Sequence, residues 1–283
     1  MTKLLAGLRI KEIIGKAGFF MVGIIFSHPQ VSFTNLVIAI QFFCLCILNG
    51  IAIYLINAGL GYQQDKSNER LSILHTFKRS STLISGSLFL VVSLILLYFF
   101  SSNLLIPALA IYLIWTLYSL PKGLKGIPLL GLLTSFVAQI LHFHIGYLVF
   151  SDWSNTSILI SIYFALLFMA GHALHEVIDF DADASTTTVN TSAVFFGRKK
   201  VWLASNYIFG LAAIYLASLA YFSVLPWQLT LPYVIAFSIQ QWFLFTVPSN
   251  WTTNDLFDYR RKYMTAYLLA TGAVMLIFYF NIV

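Results

Sequence analysis

Residues 156–183 read TSILISIYFALLFMAGHALHEVIDFDAD, an apolar run that ends in a group of histidines and acids. A helix needs about 20 largely apolar residues to cross a bilayer, and the part of this segment up to residue 178 is long enough. Side chains three and four residues apart share one face of a helix. If the helix continues past the apolar run, that face carries His172, His175 or Glu176, Asp179 and Asp183.

The rest of the chain has the composition of a membrane protein. Of its 283 residues, 59% are hydrophobic and 9% are charged, whereas a soluble domain carries about 25% charged residues. The basic residues stand in short groups between apolar runs and form no basic helix or arm, which argues against nucleic-acid binding. The net charge of +6 suits anionic lipid headgroups or an anionic substrate.

The apolar runs predict an all-α membrane protein, a bundle of about nine transmembrane helices. They lie at 13–27, 33–57, 81–101, 103–118, 127–150, 156–178, 201–222, 228–247 and 263–283. No linker, low-complexity tract or soluble segment separates them, so residues 1–283 are predicted to form a single transmembrane domain.

The distribution of charge predicts the orientation of this bundle. All sixteen Lys and Arg residues lie around the start of the first run or in the connections that follow the second, fourth, sixth and eighth runs. Nine of the ten acids share that side, and Asp152 alone lies on the other. Under the positive-inside rule the N-terminus is cytoplasmic. We therefore expect a multi-pass membrane protein, in the cytoplasmic membrane if it is bacterial, with its active site toward the cytoplasm.

The acids after the sixth run predict a metal site. Asp179 and Asp183 are one helical turn apart, where two carboxylates repel each other unless a cation lies between them. A hard divalent ion such as Mg²⁺ fits carboxylate oxygens, and substrate phosphate oxygens usually complete its coordination shell. The alternative interpretation is a solvated helix end, although four acids within eight residues beside a membrane span are unusual.

Two other connections carry side chains that suit an anionic ligand. Segment 57–70 offers carboxylates, amides and bases, namely Asn57, Asp65, Lys66, Asn68, Glu69 and Arg70. Taken alone, it is typical of an ordinary cytoplasmic loop. In segment 118–126, Lys122 and Lys125 are equally consistent with diphosphate binding and with anchoring to lipid headgroups.

Together these features resemble the UbiA superfamily of intramembrane prenyltransferases. The shared pattern is nine spans, acidic loops after the second and sixth, and a Tyr-Ser-x-Pro…Lys loop after the fourth. The second acidic loop of that family has Asp-x-x-x-Asp, commonly followed by Gly-x-x-x-Thr and then Leu-Gly. Asp179, Asp183, Thr191 and Gly197 fit this pattern, whereas Thr187 stands where glycine is usual.

The first acidic loop departs from the family, which has Asn-Asp-x-x-Asp-x-x-x-Asp there. Asn57 fits the asparagine and Asp65 the last acid, but Ala58 and Gly61 replace the other two aspartates. In the family this motif supplies a second Mg²⁺ site, so the resemblance implies a depleted one here. Glu69 lies one turn beyond Asp65 as a candidate substitute.

The resemblance implies Mg²⁺-dependent processing of a prenyl diphosphate in a central, lipid-accessible cavity, as in isoprenoid biosynthesis. The implied metal ligands are Asp179, Asp183, Asp65 and Glu176, the three aspartates being catalytic. The implied substrate-binding residues are Asn57, Asn68, Arg70, Tyr118, Lys122, Lys125 and His175.

Three functions are consistent with these residues. A prenyltransferase passes the prenyl group to a small lipophilic or aromatic acceptor, whereas a terpene cyclase closes the chain on itself. A non-catalytic descendant that binds a lipid phosphate or a partner protein is the third, suggested by Ala58 and Gly61. A transporter is not favoured, because the predicted spans carry no charge near their middle.

Overall fold

The computed structural model describes residues 10–27, 32–62, 78–120, 123–185 and 190–280. These ranges contain helices and no strand, which confirms the predicted all-α class. The α-helices are α1 (Ile10–Phe26), α2 (Phe33–Leu60), α3 (Arg79–Phe100), α4 (Leu105–Ser119), α5 (Leu130–Tyr147), α6 (Asn155–Ile178), α7 (Phe180–Ala184), α8 (Ser192–Phe196), α9 (Arg198–Tyr221), α10 (Trp227–Phe245) and α11 (Thr253–Tyr279). Single 3₁₀ turns at Ser102–Leu104 and Leu124–Gly126 precede α4 and α5.

Seven of the helices described are long and apolar enough to cross a membrane. They are Phe33–Leu60, Arg79–Phe100, Ser102–Ser119, Leu130–Tyr147, Asn155–Ile178, Arg198–Tyr221 and Thr253–Tyr279. The other two predicted spans, 13–27 and 228–247, also fall on helices, α1 and α10. The apolar part of α1 is only Ala17–Phe26, and α10 carries three glutamines and an internal proline.

The last helix begins ten residues before the predicted position. Its start is fixed by a capping box, in which the Thr252 side chain accepts from the Asp255 N–H at 3.3 Å. Asp255 in turn accepts from the Thr252 N–H at 2.7 Å. This reciprocal cap satisfies two backbone donors that would otherwise be unpaired. Arg260, assigned from sequence to a connecting loop, therefore lies on the second turn of α11.

The long helices pack in an order that brings α6 to the middle of the structure. Helix α1 lies against α2 and α5, α2 against α3, and α4 against α5. Helix α6 contacts α5, α9 and α11, and α10 lies between α9 and α11. Helices α1 and α5 approach each other closely, since a Cβ at Gly146 would lie 1.8 Å from the Phe20 carbonyl oxygen and one at Gly23 2.0 Å from the Phe143 carbonyl oxygen. Small residues allow such backbone contact between membrane helices.

The surface of the bundle is strongly apolar. Large hydrophobic side chains are exposed along most of the long helices, among them Phe99, Ile106, Tyr207 and Phe245. Such continuous apolar surface suits lipid and not water. Cys44 is exposed, Cys46 is buried, and both are free thiols, as their spacing on a helix predicts.

Candidate functional site

The acids that follow α6 lie on a nearly continuous helix. Helix α6 ends at Ile178, and after one residue, Asp179, helix α7 continues from Phe180. The Asp183 N–H donates to the Asp179 carbonyl at 2.9 Å, as in an α-helix. The carboxylates of Asp179 and Asp183 are therefore one turn apart on the same side of the chain, as predicted.

Asp183 lies beside a predicted substrate-binding lysine from a different connection. Lys125 is in the 3₁₀ turn before α5, and its Nζ is 4.0 Å from Asp183 Oδ1. The Asp183 side chain is only 14% exposed. Two connections that are far apart in sequence thus meet at this end of the bundle.

Asp179 lies beside the predicted residue His175, which in turn contacts an arginine that the sequence did not indicate. His175 Nε2 is 3.5 Å from Asp179 Oδ2, and Arg260 Nη1 is 3.4 Å from His175 Nδ1. A guanidinium can only donate, so His175 Nδ1 is the acceptor and the ring proton is on Nε2, facing Asp179. The imidazole therefore links the Asp179 carboxylate, at the junction of α6 and α7, to the positive charge of Arg260 on α11.

Tyr118 faces the same acids from the end of α4. Its hydroxyl is 3.2 Å from His172 Nε2. It lies close enough to the carboxylates of Glu176, Asp183 and Asp179 to interact with their charges. His172 is also 3.9 Å from Glu176 Oε1. The prediction that Tyr118 belongs with the acids of α6 and α7 is consistent with this geometry, and His172 is a further member.

Glu176, a predicted metal ligand, is buried and has a structural partner. Its Oε2 accepts from the Ala193 N–H at 3.2 Å at the first turn of α8. Ser192, next to Ala193, accepts from the Leu129 N–H at 3.0 Å, which ties α8 to the start of α5. Glu176 therefore connects α6 and α8, and its Oε1 faces His172.

Arg198, at the start of α9, holds the acid-bearing segment in place. Its Nε donates to the Val177 carbonyl at 3.1 Å and its Nη2 to Thr253 Oγ1 at 2.7 Å. Its Nη1 is 3.7 Å from Asp181 Oδ2, and its guanidinium lies 4.7 Å from the centre of the Trp251 ring. One side chain thus joins the end of α6, helix α7 and the start of α11.

Of two other positions that fit the family pattern, Gly197 has a local structural reason and Thr191 does not. Gly197 has φ of +93°, a conformation that disfavours any residue with a Cβ, and it begins α9. Thr191 precedes α8 and is 1% exposed. Its Oγ1 has no hydrogen-bond partner among the residues described.

The first acidic motif is only partly visible. Asn57 lies in the last turn of α2, and its carbonyl accepts from the Gly61 N–H at 2.8 Å. Within the described ranges its side chain makes no hydrogen bond to Asp179 or Asp183. The Arg79 Nε donates to the Gly59 carbonyl at 3.0 Å, so a base from α3 caps the end of α2. The following predicted residues lie outside the described ranges: Asp65, Asn68, Glu69, Arg70, Lys122 and Thr187.

The donors at this end of the bundle fit a hard cation in part. Among the residues described, no three His, Cys, Asp or Glu side chains lie close enough together to enclose a metal ion. Asp179 and Asp183 supply carboxylate oxygens, which suit Mg²⁺ when phosphate oxygens and water complete its shell. The pair is therefore able to hold Mg²⁺ together with an anionic substrate.

The chain belongs to the UbiA prenyltransferase family, whose family model matches residues 17–269. With seven candidate spans and this membership, it is a multi-pass integral membrane protein. A search of curated proteins gave no match.

Solved structures have the same fold. A UbiA homolog from Archaeoglobus fulgidus bound to GPP and Mg²⁺ has a TM-score of 0.74 and 14% identity, covering 96% of this chain and 99% of its own. A structure of digeranylgeranylglyceryl phosphate synthase has a TM-score of 0.71 and 15% identity, with 99% coverage of both chains. An apo UbiA homolog from Aeropyrum pernix K1 has a TM-score of 0.68 and 15% identity, covering 95% of this chain and 98% of its own.

Proposed function

We propose that this protein transfers the prenyl group of a prenyl diphosphate to an acceptor within the membrane, with Mg²⁺ as its cofactor. The observation that carries the proposal is the meeting of acids and bases at one end of the bundle. Asp183 lies 4.0 Å from Lys125, and Asp179 is linked through His175 to Arg260. A Mg²⁺–diphosphate complex needs carboxylates for the cation and bases for the anion.

Asp179 and Asp183 are the proposed ligands of Mg²⁺, with Asp65 as a further one. Bound there, the ion would neutralise charge on the diphosphate and make it a better leaving group. The side chain of Glu176 is better placed to support α8, since one of its oxygens is already bonded to the Ala193 N–H.

Lys125 and Arg260 are proposed to bind the diphosphate oxygens as negative charge develops on them. Preorganised cations are effective in this position because they need no rearrangement during the reaction. The bond between the prenyl C1 and its oxygen breaks, and both electrons leave with the diphosphate. A nucleophilic atom of the acceptor then bonds to C1 and loses a proton. Arg198 keeps α7 in position throughout, because its ion pair with Asp181 joins α7 to the bonds that it makes with Val177 and Thr253.

The end of the bundle that carries Asp179, Asp183, Lys125 and Arg260, called the charged end below, is proposed to face the cytoplasm. The support is the distribution of basic residues along the sequence, and Lys125, Arg198 and Arg260 lie at the same end of the bundle. A diphosphate made in the cytoplasm would reach this end without crossing the bilayer.

A terpene cyclase is the second candidate, favoured by aromatic rings next to the acids. The Trp115 ring contacts Tyr118 edge-on, with centroids 5.3 Å apart. Aromatic faces stabilise carbocations, and such a cation migrates along the chain during cyclisation. The replacement of two family aspartates by Ala58 and Gly61 is also consistent with a specialised member.

The test is to incubate the purified protein with Mg²⁺ and geranyl, farnesyl or geranylgeranyl diphosphate in turn and to measure diphosphate release. Each substrate is given with and without membrane lipid extract as a source of acceptor. Release that depends on the extract, with a prenylated product, supports the transferase. A cyclic hydrocarbon or alcohol formed without extract supports the cyclase. If no chain length yields diphosphate, both enzymatic functions are rejected in favour of a binding protein.

A further inference from the structure

A polar pair lies in the middle of α5, away from the acids. Gln139 is 1% exposed, and its Oε1 is 3.4 Å from His142 Nδ1. Its Nε2 has no hydrogen-bond partner among the residues described. Turning the amide over would bring Nε2 to the imidazole and leave Oε1 unpaired instead. In either orientation one polar atom of Gln139 remains to be satisfied.

The surroundings of this pair are aromatic. The Phe20 ring of α1 packs on His142 with centroids 4.7 Å apart. The Trp115 ring of α4 stacks on the His142 ring, with centroids 6.2 Å apart and an interplanar angle of 21°. An unpaired buried amide in such a region destabilises the folded protein, and a hydrogen-bond partner from outside the chain would remove that cost.

A second buried glutamine shows how the same side chain is satisfied when it is structural. Gln240 of α10 donates from Nε2 to the Tyr259 hydroxyl at 3.0 Å. Its Oε1 accepts from the Tyr267 hydroxyl at 2.9 Å. Both ends of this amide therefore have partners within the bundle. Gln139 differs from it, because one end of its amide has no partner in the part of the chain that the structure describes.

A chain of side-chain contacts connects the pair to the acids at the charged end of the bundle. Trp115 touches both His142 and Tyr118, and Tyr118 bonds to His172 beside the acids. On α5, Gly131 lies next to the Glu176 carboxylate, since a Cβ added to this glycine would be 3.6 Å from Glu176 Oε1. Gln139 is eight residues further, or about 12 Å at the rise of an α-helix. A molecule about 12 Å long would span the distance from the acids to Gln139.

We propose that Gln139 and His142 bind an oxygen atom at the far end of the lipophilic acceptor. The chemical class is a largely apolar molecule with a hydroxyl or carbonyl group remote from its nucleophilic atom. The Gln139 amide donates to that oxygen, while the rings of Phe20 and Trp115 contact the apolar body. This assignment rests on the proposed transferase function, because it places the nucleophilic end of the acceptor toward the prenyl diphosphate.

The test uses two probes that differ by one oxygen, 2-naphthol and naphthalene. Their affinities for the protein in nanodiscs are measured by calorimetry without prenyl diphosphate, with the heat for empty nanodiscs subtracted. We expect the wild type to prefer 2-naphthol, and Gln139→Leu to lose roughly threefold to tenfold of that preference. Gln139→Met serves as a second variant. Ser135→Ala is the matched control, because Ser135 is buried one turn away and its hydroxyl already donates to the Gly131 carbonyl.

Equal binding of the two probes by the wild type would overturn the assignment, as would an unchanged preference in both Gln139 variants. Because no diphosphate is present, these results are independent of whether the protein turns out to be catalytic. A water molecule is the other source of such an oxygen. Turnover in ¹⁸O-labelled water that gives a labelled prenyl or cyclic alcohol in the wild type, and none in Gln139→Leu, would assign the pair to water and reject acceptor binding.

Discussion

Histidines lie beside both ends of α6, His144 of α5 at its start and two histidines of its own at its end, and they have different kinds of partner. At the start of the helix, His144 lies between the Ile140 carbonyl at 2.8 Å and the Ser157 hydroxyl at 3.3 Å. It also stacks on Trp153, with ring centroids 4.0 Å apart. All of these partners lie within 13 positions of His144 in the sequence. His144 therefore has a local structural role, because it connects the end of α5 to the start of α6.

At the other end of α6 one partner of each histidine comes from a distant helix, and charged groups lie beside both. His172 bonds to Tyr118, 54 positions away, and His175 to Arg260, 85 positions away. Both histidines also lie beside a carboxylate one turn further along, Glu176 or Asp179. Bringing these groups together requires the complete bundle. The comparison shows that the proposed site differs from a structural histidine in drawing its partners, some of them charged, from several helices.

The largest effect on the rate is expected when the acids of α7, and Asp179 just before it, are replaced one at a time. Asp179→Asn and Asp183→Asn should each lower the rate of diphosphate release by about 100-fold or more, because each removes a charged oxygen from the proposed cation site. Asp181→Asn is the matched control, since Asp181 lies between them but its side chain is 74% exposed and faces Arg198. The measurement is the initial rate at saturating Mg²⁺.

Equal losses in all three variants would show that the segment acts only through its fold. Retention of activity in the Asp179→Asn and Asp183→Asn double variant would remove the pair from the proposed chemistry altogether.

A smaller effect, on the KM for prenyl diphosphate, is expected to distinguish two adjacent arginines on α11. Arg260 faces His175, whereas the Arg261 side chain is 78% exposed and pairs with Asp258 at 2.5 Å. Arg260→Ala should raise the KM for prenyl diphosphate by about tenfold, because charge-assisted bonds to an anion are strong in a partly buried site. Arg261→Ala should leave it within about twofold, because exposed ion pairs contribute little. A larger effect at Arg261 would place the diphosphate outside the proposed site.

The sequence predicts the helices of this fold well wherever an apolar run is long. Helix α6 was expected at 156–178 and is Asn155–Ile178, since burial in lipid determines its length. The start of α11 was placed ten residues late because its first turns are polar and resemble a loop. The pattern Thr252-x-x-Asp255, a capping box, was the signal that marks the true start.

The site was predictable where local periodicity determines it. Asp179, Asp183 and His175 follow from three- and four-residue spacing at the end of one helix. Arg198 and Arg260 do not, because their partners are set by the packing of α9 and α11 on α6. From sequence they were indistinguishable from the other basic residues at the membrane surface.

Glu176 tests whether the charged end contains structural residues as well as catalytic ones. Glu176→Ala should destabilise the protein by about 1–3 kcal/mol, because it leaves the buried Ala193 N–H without an acceptor. Glu176→Gln keeps an oxygen for that N–H and should recover most of the stability. The measurements are thermal unfolding and the Mg²⁺ concentration that gives half-maximal rate. A tenfold rise in that concentration for Glu176→Gln, with stability unchanged, would instead assign Glu176 to the metal.

The smallest effect is expected at His144 of α5, which lies beside the start of α6. His144→Ala removes the bond to Ser157 and the stack on Trp153, and should cost about 1 kcal/mol of stability, in the range of a single buried hydrogen bond. Because its partners are local and uncharged, the dependence of the rate on Mg²⁺ and on prenyl diphosphate should stay the same. His172→Ala is the matched change at the charged end, where the bond to Tyr118 is lost and the rate should fall. A rate that falls as far in His144→Ala as in His172→Ala, at equal stability, would mean that local and distant partners do not separate structural from functional histidines in this bundle.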